Sequence, residues 1–383
     1  MANPEKTTIS PHSLLVVQTA FYGDVILATP LVRAAAFLWP QAAIDFLCLP
    51  QTSSLLANHP LLRRTIAYDK RGRERGLRSL FRLARRLRGS GYDLALVPHP
   101  SLRSALLVWL ARIPVRVGFD RNTGHKLFTH IVPYRREHHE VERNLGLLRP
   151  FGLEGGTWRP ELFPSEDDRE QVDALLAGLI GSAFAALAPG SVWPTKRWPA
   201  PYFAALAAEL KRRWGLPGVI VGGSGDAALA AEVETLSDGA AYSLAGKLTP
   251  LQSAEVIRRA VLLVTNDTAP LHMASATQTP VVAIFGPTIP EFGFGPYRIP
   301  HRIAQLDLPC RPCSSHGGRR CPIGTFACMR ELMPERVAGL VEDLLREGAA
   351  SRMSRSIPLV AEPRLAPVPK VSHRSHPSDP VDP

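Results

Sequence analysis

Short apolar runs, each breaking at a small or acidic turn and giving way to a helical period, recur along this chain in two successive sets. Leu14-Leu15-Val16-Val17-Gln18 reads as a buried parallel strand, followed by the turn Thr19 to Asp24 and a helix from Val25 to about Leu38. Ile44 to Leu49 is a second strand, and Leu94 to Val97 and Val115 to Phe119 are later ones, with an apolar helix Leu102 to Ala111 between them. Alternating strands and helices describe an α/β fold with a doubly wound sheet. From Phe151 to Pro164 glycines and prolines interrupt every period, and then the alternation restarts. Its members are helix Glu166 to Leu179, strand Phe184 to Leu187, helix Ala200 to Trp214, strand Gly218 to Val221, helix Ala227 to Leu236, strand Ala241 to Leu244 and helix Pro250 to Arg259. Two such sheets in tandem leave a cleft between their strand ends, where ligands of these folds bind. The expected domains are residues 1–155 and 165–348, with a disordered Pro-, Ser- and base-rich tail at 351–383.

The next unit carries the strongest local signal. Ala260 to Val264 reads as a strand that stops at Asn266-Asp267, where Asp267 or Thr268 can cap a helix with Pro270 in its first turn. Strand Pro280 to Phe285 follows and ends in Gly286-Pro287-Thr288. A strand, a tight polar turn and a helix mouth make an anion site, because free N–H groups and the positive dipole end converge there. The same residues also suit an ordinary capped βα unit. Two more loops reach that edge: Pro189-Gly190-Ser191 with Lys196-Arg197, and Gly222 to Asp226. Lys196 and Arg197 suit either phosphate contact or a solvated loop, and the glycine cluster lacks the spaced fingerprint of a dinucleotide site. Asp24, after Gly23, can cap its helix or take a proton from an incoming hydroxyl.

Charge narrows the partners. The net charge is +11, and the tail beyond residue 350 holds five basic and three acidic side chains, so most of the excess belongs to the folded body. No apolar run approaches the length of a bilayer span, and the stretch from Leu14 is broken by Gln18 and Asp24 with no small-residue cleavage site after it. A cytoplasmic protein without a signal peptide is expected. Lys70 to Arg88 holds nine basic residues and one acidic. Within it Leu77, Leu80, Phe81, Ala84 and Leu87 fall at helical spacing, while Arg78, Arg82, Arg85 and Arg86 take the other face. That face suits bulk solvent or an anionic, membrane-borne partner. Nucleic acid is disfavoured by the absence of a recognisable module or interleaved aromatics. Four of the five cysteines, Cys310, Cys313, Cys321 and Cys328, share one loop with spacing compact enough for one zinc, free thiols being the other reading.

Together, Gly23-Asp24, Pro189-Gly190-Ser191 with Lys196-Arg197-Trp198-Pro199, and Asn266-Asp267-Thr268-Ala269-Pro270-Leu271-His272 resemble the ADP-heptose:lipopolysaccharide heptosyltransferases, most nearly type II. The likeness spans roughly residues 14–345, with the motifs in family order. It implies the GT-B architecture, two Rossmann-like domains facing across a cleft, the first for the acceptor and the second for the nucleotide sugar. It implies inverting transfer of heptose from ADP-heptose to a lipid A-Kdo-heptose acceptor, by a protein peripheral on the inner membrane. Asp24 matches the general base and Lys196 the lysine on the donor diphosphate, with Ser191 in the same loop. Asp267 matches a carboxylate that holds the donor sugar, Thr268 and Ala269 the diphosphate cradle, and His272 a histidine on the next helix. Asp226 and Lys247 align with residues around the adenosine. Ala269 stands where many relatives have Gly. No Asp-x-Asp pair lies beside the diphosphate loops, so no metal cofactor is expected for transfer. The rivals are a related transferase using another nucleotide sugar or acceptor, a nucleotide-sugar epimerase, and a non-catalytic membrane- or nucleic-acid-binding protein.

Overall fold

The structure is a computed structural model and describes residues 7–177 and 183–354. The first of its two parallel six-stranded sheets is built from β1 (Ser13–Val17), β2 (Ala43–Cys48), β3 (Arg64–Ala67), β4 (Leu94–Val97), β5 (Val115–Phe119) and β6 (His130–Val132). Their spatial order is β3-β2-β1-β4-β5-β6, and the associated helices are α1 (Tyr22–Leu38), α2 (Pro50–Ser53), α3 (Leu77–Gly89), α4 (Leu102–Leu110) and α5 (Glu140–Gly146). The second has β7 (Ala185–Ala188), β8 (Gly218–Ile220), β9 (Ala241–Ser243), β10 (Leu263–Asn266), β11 (Val281–Ile284) and β12 (His301–Ala304), ordered β12-β11-β10-β7-β8-β9. Its helices are α6 (Glu166–Ala177), α7 (Ala200–Trp214), α8 (Ala227–Leu236), α9 (Pro250–Arg259), α10 (Ala269–Thr277), α11 (Ala327–Arg330) and α12 (Pro334–Ser354). Both orders are the Rossmann order, reversing beside β1 in one sheet and beside β7 in the other. Loops leaving those strands are where such sheets bind ligands.

Period-two alternation between two covered faces explains why β1 is apolar from Leu14 to Val17. Leu14 and Val16 join one core cluster with Val25 and Leu31 of α1, while Leu15 and Val17 join another with Leu80, Leu83 and Leu87 of α3. Each such side chain contributes about 1.5–3 kcal/mol by burial. Both sheets lie within one compact unit that ends at Leu344, and the chain crosses between them through a stretch without regular structure at 152–165.

Several expected bounds move. α1 starts at Tyr22 rather than Val25, which puts Asp24 inside its first turn. β10 lies two to three residues later than expected, since buried Asn266 belongs to the strand: its Nδ2 donates to the Pro189 carbonyl (2.8 Å) and its Oδ1 accepts from Trp198 N–H (3.2 Å). The end of the expected helix after Ala177 lies outside the described residues, as does the tail from residue 355, while α12 itself runs on to Ser354. On α3, Leu80, Leu83, Ala84 and Leu87 are buried, but Leu77 and Phe81 stand 66% and 56% exposed, so the apolar face is narrower than the spacing implied. No helix among the described residues is long and apolar enough to cross a membrane.

Candidate active site

The β7 loop and the β10 turn meet at the reversal point of the second sheet. Lys196 Nζ donates to Asp267 Oδ2 at 2.5 Å and to the Asp267 carbonyl at 3.3 Å, and both side chains are largely buried. Thr288, after β11, donates to the same Oδ2 at 2.7 Å. The pair is braced from behind. Thr195 Oγ1 bonds the Gly318 carbonyl (2.9 Å) and accepts from Gly318 N–H (2.7 Å), and Arg311 grips the carbonyls of Phe285, Gly286 and Thr288. Ser191 is buried, its Oγ accepting from Trp193 N–H (3.2 Å). Thr268 is the residue before α10 and makes no side-chain cap, so the helix mouth at Ala269 keeps uncapped N–H groups beside the Lys196–Asp267 pair. Those N–H groups, the lysine and the helix dipole favour an anion in this place.

At the facing edge, Asp24 Oδ2 accepts from Phe21 N–H at 3.1 Å, so Asp24 secures the helix start from inside the first turn, with Phe21 rather than Asp24 in the cap position. The side chain stays partly exposed, yet burial raises its carboxyl to about 6 against the pull of hydrogen bonds from the backbone at Phe21 and Asp24. A carboxyl near 6 is a working base at neutral pH. The two edges touch here. A Cβ on Gly23 would lie 2.6 Å from His272 Cδ2, so only glycine lets the α1 turn come this close to α10. The His272 ring is buried and its imidazole is held down to about 4, mainly by burial, with Asp267 opposing. Its buried Nδ1 has no partner among the described residues.

Sequence reasoning missed a cation cluster on the same edge of the first sheet. Lys70 Nζ, from the loop after β3, donates to Thr19 Oγ1 (2.8 Å) and approaches His99 Nε2 (3.3 Å). Burial, with Arg71 and Arg103 nearby, pulls Lys70 down to about 8, and burial plus Lys70 holds His99 near 3. Arg71 lies over the Phe21 ring at 4.7 Å, one turn from Asp24. Among the described residues no carboxylate pairs with Lys70, so the cluster suits an anionic ligand beside Asp24. The adjacent Lys70-Arg71 after a strand was the available signal, but β3 itself was not recognised.

The remaining expected residues are spread around this centre. Asp226 packs its carboxyl against Gly190 and accepts from Gly223 N–H (3.1 Å), at the rim of the Lys196 loop. Lys247 is exposed and donates to the Ser243 carbonyl (3.1 Å). Arg78, Arg82, Arg85 and Arg86 are exposed on α3 and make no ion pair among the described residues. Cys313, Cys321 and Cys328 line a cavity of about 230 Å³ with Thr195, and Cys310 lies nearby in the loop. Among the described residues no group of three metal-ligating side chains is arranged to hold an ion. What the cysteine loop does here is to back the Lys196 loop. Another cavity, about 400 Å³ between β6 and α5, is lined by none of the residues above.

Two Rossmann-ordered parallel six-stranded sheets with flanking helices make the GT-B architecture of glycosyltransferases. A model of glycosyltransferase family 9 (heptosyltransferase) matches residues 80–322, and the chain belongs to that family. It is 28% identical over 285 residues to lipopolysaccharide heptosyltransferase 3 of Escherichia coli K12, covering 70% of this chain and 80% of that protein. It is 29% identical over 360 residues to lipopolysaccharide heptosyltransferase 1 of Pseudomonas aeruginosa, covering 87% and 98%. The solved E. coli ADP-heptose lps heptosyltransferase II superposes with a TM-score of 0.74 at 25% identity, covering 88% and 99%.

Proposed function

We propose that this glycosyltransferase moves heptose from ADP-heptose onto the inner core of lipopolysaccharide, with inversion and without a divalent metal. The observation that carries this reading is the buried Lys196–Asp267–Thr288 cluster lying across the Gly23–His272 contact from Asp24. In this scheme the α10 mouth, Thr268, Ala269 and Ser191 cradle the diphosphate. Lys196 exchanges Asp267 for phosphate oxygens and offsets charge on the departing ADP, leaving Asp267 free for the sugar hydroxyls. Asp24 removes the acceptor proton from the opposite face, as inversion requires. His272 stays neutral and fills the junction. Lys70 and Arg71 hold an acidic group of the acceptor.

The acceptor is taken to be lipid A-Kdo-heptose, as for type II; relatives named as types 1 and 3 stand at similar identity. Chelator-treated protein, offered ADP-heptose and core acceptors carrying no, one or two heptoses, tests both points. Transfer at undiminished rate, preferentially to the one-heptose acceptor, is expected. Preference for another acceptor would reassign the type, and loss of all turnover after chelation would contradict metal independence.

Exposed Leu77 and Phe81 among Arg78, Arg82, Arg85 and Arg86 support a peripheral contact of α3 with the anionic inner leaflet, where such an acceptor resides. Each arginine near such a surface contributes about 1 kcal/mol. Reversing two, Arg82→Glu with Arg85→Glu, is expected to weaken cosedimentation with phosphatidylglycerol-containing vesicles by at least ~30-fold. Transfer to a detergent-free, water-soluble acceptor should be kept. Unchanged vesicle binding would remove α3 from the membrane contact.

A further inference from the structure

The catalytic scheme leaves unused a set of buried charged and aromatic groups where α5 meets the turn Pro290 to Tyr297. Glu140 N–H donates to the Gly293 carbonyl at 2.8 Å, Arg143 Nη1 to the Phe292 carbonyl at 3.0 Å, and His139 Nε2 lies 3.0 Å from the Gly295 carbonyl. The His139 ring stacks on Tyr297 with centroids 4.5 Å apart. Arg143 is held for this purpose. It pairs with Glu140 Oε2 at 3.0 Å, Tyr134 OH donates to that oxygen at 2.9 Å, and further guanidinium N–H groups reach the carbonyls of Arg135 and Arg136. The Arg143 and Glu140 side chains are 2% and 7% exposed, an arrangement that persists in a fold only when every partner is supplied. His139 Nδ1 accepts from Val141 N–H (3.2 Å), which leaves the proton on Nε2 for the Gly295 carbonyl. Gly293 is obligatory: its φ is +91°, and a Cβ there would lie 2.6 Å from the His138 carbonyl oxygen.

The two partners of this contact lead to the two halves of the site. On one side Asn144 Nδ2 donates to the Leu27 carbonyl (3.1 Å), and Leu27 packs with Val141 and Tyr297; Leu27 lies one turn beyond Asp24 on α1. On the other side Tyr297 N–H donates to Ser275 Oγ (3.0 Å) on α10, the helix whose first turns carry Ala269 and His272. From this geometry we infer that the α5 to 290–297 contact is a latch that sets the position of Asp24 relative to the donor site, with Arg143, Tyr297 and Gly293 as positioning residues. It rests on the glycosyl-transfer reading of Asp24 and Lys196. None of the three touches the reacting groups; they act through α1 and α10. Small misplacements of reacting groups cost large factors in rate while leaving binding on one side of a cleft unaltered.

The test uses the full chain with Tyr297→Ala, Tyr297→Phe and Gly293→Ala, reading kcat, KM for ADP-heptose and exchange of the Glu140 amide hydrogen. Tyr297→Ala and Gly293→Ala are expected to lower kcat at least tenfold, to change donor KM less than threefold, and to speed exchange at Glu140. Tyr297→Phe keeps the ring stack and is expected to keep kcat within twofold of wild type. Faster exchange at Glu140 with kcat unchanged overturns the latch alone. A parallel loss of kcat and donor affinity also overturns it, since the contact would then merely support the nucleotide site. A wild-type chain that keeps the Glu140 amide protected but transfers no sugar overturns the assigned reaction, and the inference with it.

Discussion

Asp24→Asn is expected to abolish transfer while leaving the protein as stable as wild type, or more so, at pH 7. The amide oxygen still accepts from Phe21 N–H, so the helix start survives, but nothing at that position can take a proton. A positioned base supplies roughly 10²–10⁴ in rate, and a loss of that size is expected in kcat. The stability half follows from linkage. The folded carboxyl sits at about 6, raised by burial above its ordinary value of 3.8. The folded state therefore holds this proton more tightly than the unfolded chain does, and ionising Asp24 costs stability as pH rises through that window. The cost is on the order of 1–3 kcal/mol, lessened by the partial exposure of the side chain, and the asparagine does not incur it. The same carboxyl sets the acid limb of kcat/KM, which should fall as pH drops through about 6. Thermal melts and pH profiles of the two proteins check all three statements. A variant that turns over normally, or an acid limb lying near 4, would remove Asp24 from the role of base.

The opposite behaviour is expected at Asp45, which has no solvent exposure. Its carboxylate accepts from Arg63 (2.8 and 2.7 Å), from Arg64 (2.8 Å) and from the Tyr92 hydroxyl. Burial alone would raise its pKa, but the hydrogen bonds from Arg63, Tyr92 and Arg64 prevail and hold it below the usual carboxylate value. Asp45 pairs with Arg64 across β2 and β3, within the first sheet rather than in the loops of the site. Removing one partner of a buried pair costs about 3–5 kcal/mol. Since both guanidinium groups are about half exposed and can regain water, the lower end applies to Asp45→Ala. In a chain of this size that lowers the melting temperature by about 4 °C, while kcat per folded molecule should be unchanged. Because the folded pKa is depressed, this stabilisation is complete above the unfolded value near 4 and disappears as pH falls through the folded one. A melting temperature within a degree of wild type at pH 7 would contradict the buried network.

How much of this was legible in the sequence depended on where each element lies. Strands β4 and β5 have the expected bounds: β4 is buried on both faces and reads as a continuous apolar run, and β5 reads as a strand through Val115, Val117 and Phe119. Helices α7, α8 and α9 do too; α9 is announced by Thr249, whose Oγ1 accepts from Gln252 N–H, and by Pro250 at its start. Strands β3, β6 and β12 escaped, and all three are sheet edges. With one neighbour and partial exposure, Arg64–Ala67 and His130–Val132 have no need of an apolar run. Missing β3 also hid the site that follows it, since Lys70, Thr19 and His99 come from three loops that only the fold gathers. α5 was unreadable for another reason: its buried face consists largely of Glu140, Arg143 and Asn144, polar residues whose partners lie on other elements. Asp24, Lys196 and Asp267 stood out because each belongs to the polar segment that follows an apolar strand, and the structure places those segments, after β1, β7 and β10, at the reversal points of their sheets.

Calorimetric titration of ADP-heptose into wild type, Asp24→Asn and Lys196→Gln bears most directly on the division of labour across the cleft. Wild type and Asp24→Asn should bind alike, within about twofold. Lys196→Gln, which removes the buried cation beside the α10 mouth, should bind at least ~10-fold more weakly, the loss of one charge-assisted contact. Unaltered affinity in Lys196→Gln, or an equal loss in Asp24→Asn, would contradict a donor held by the second sheet and a base supplied by the first.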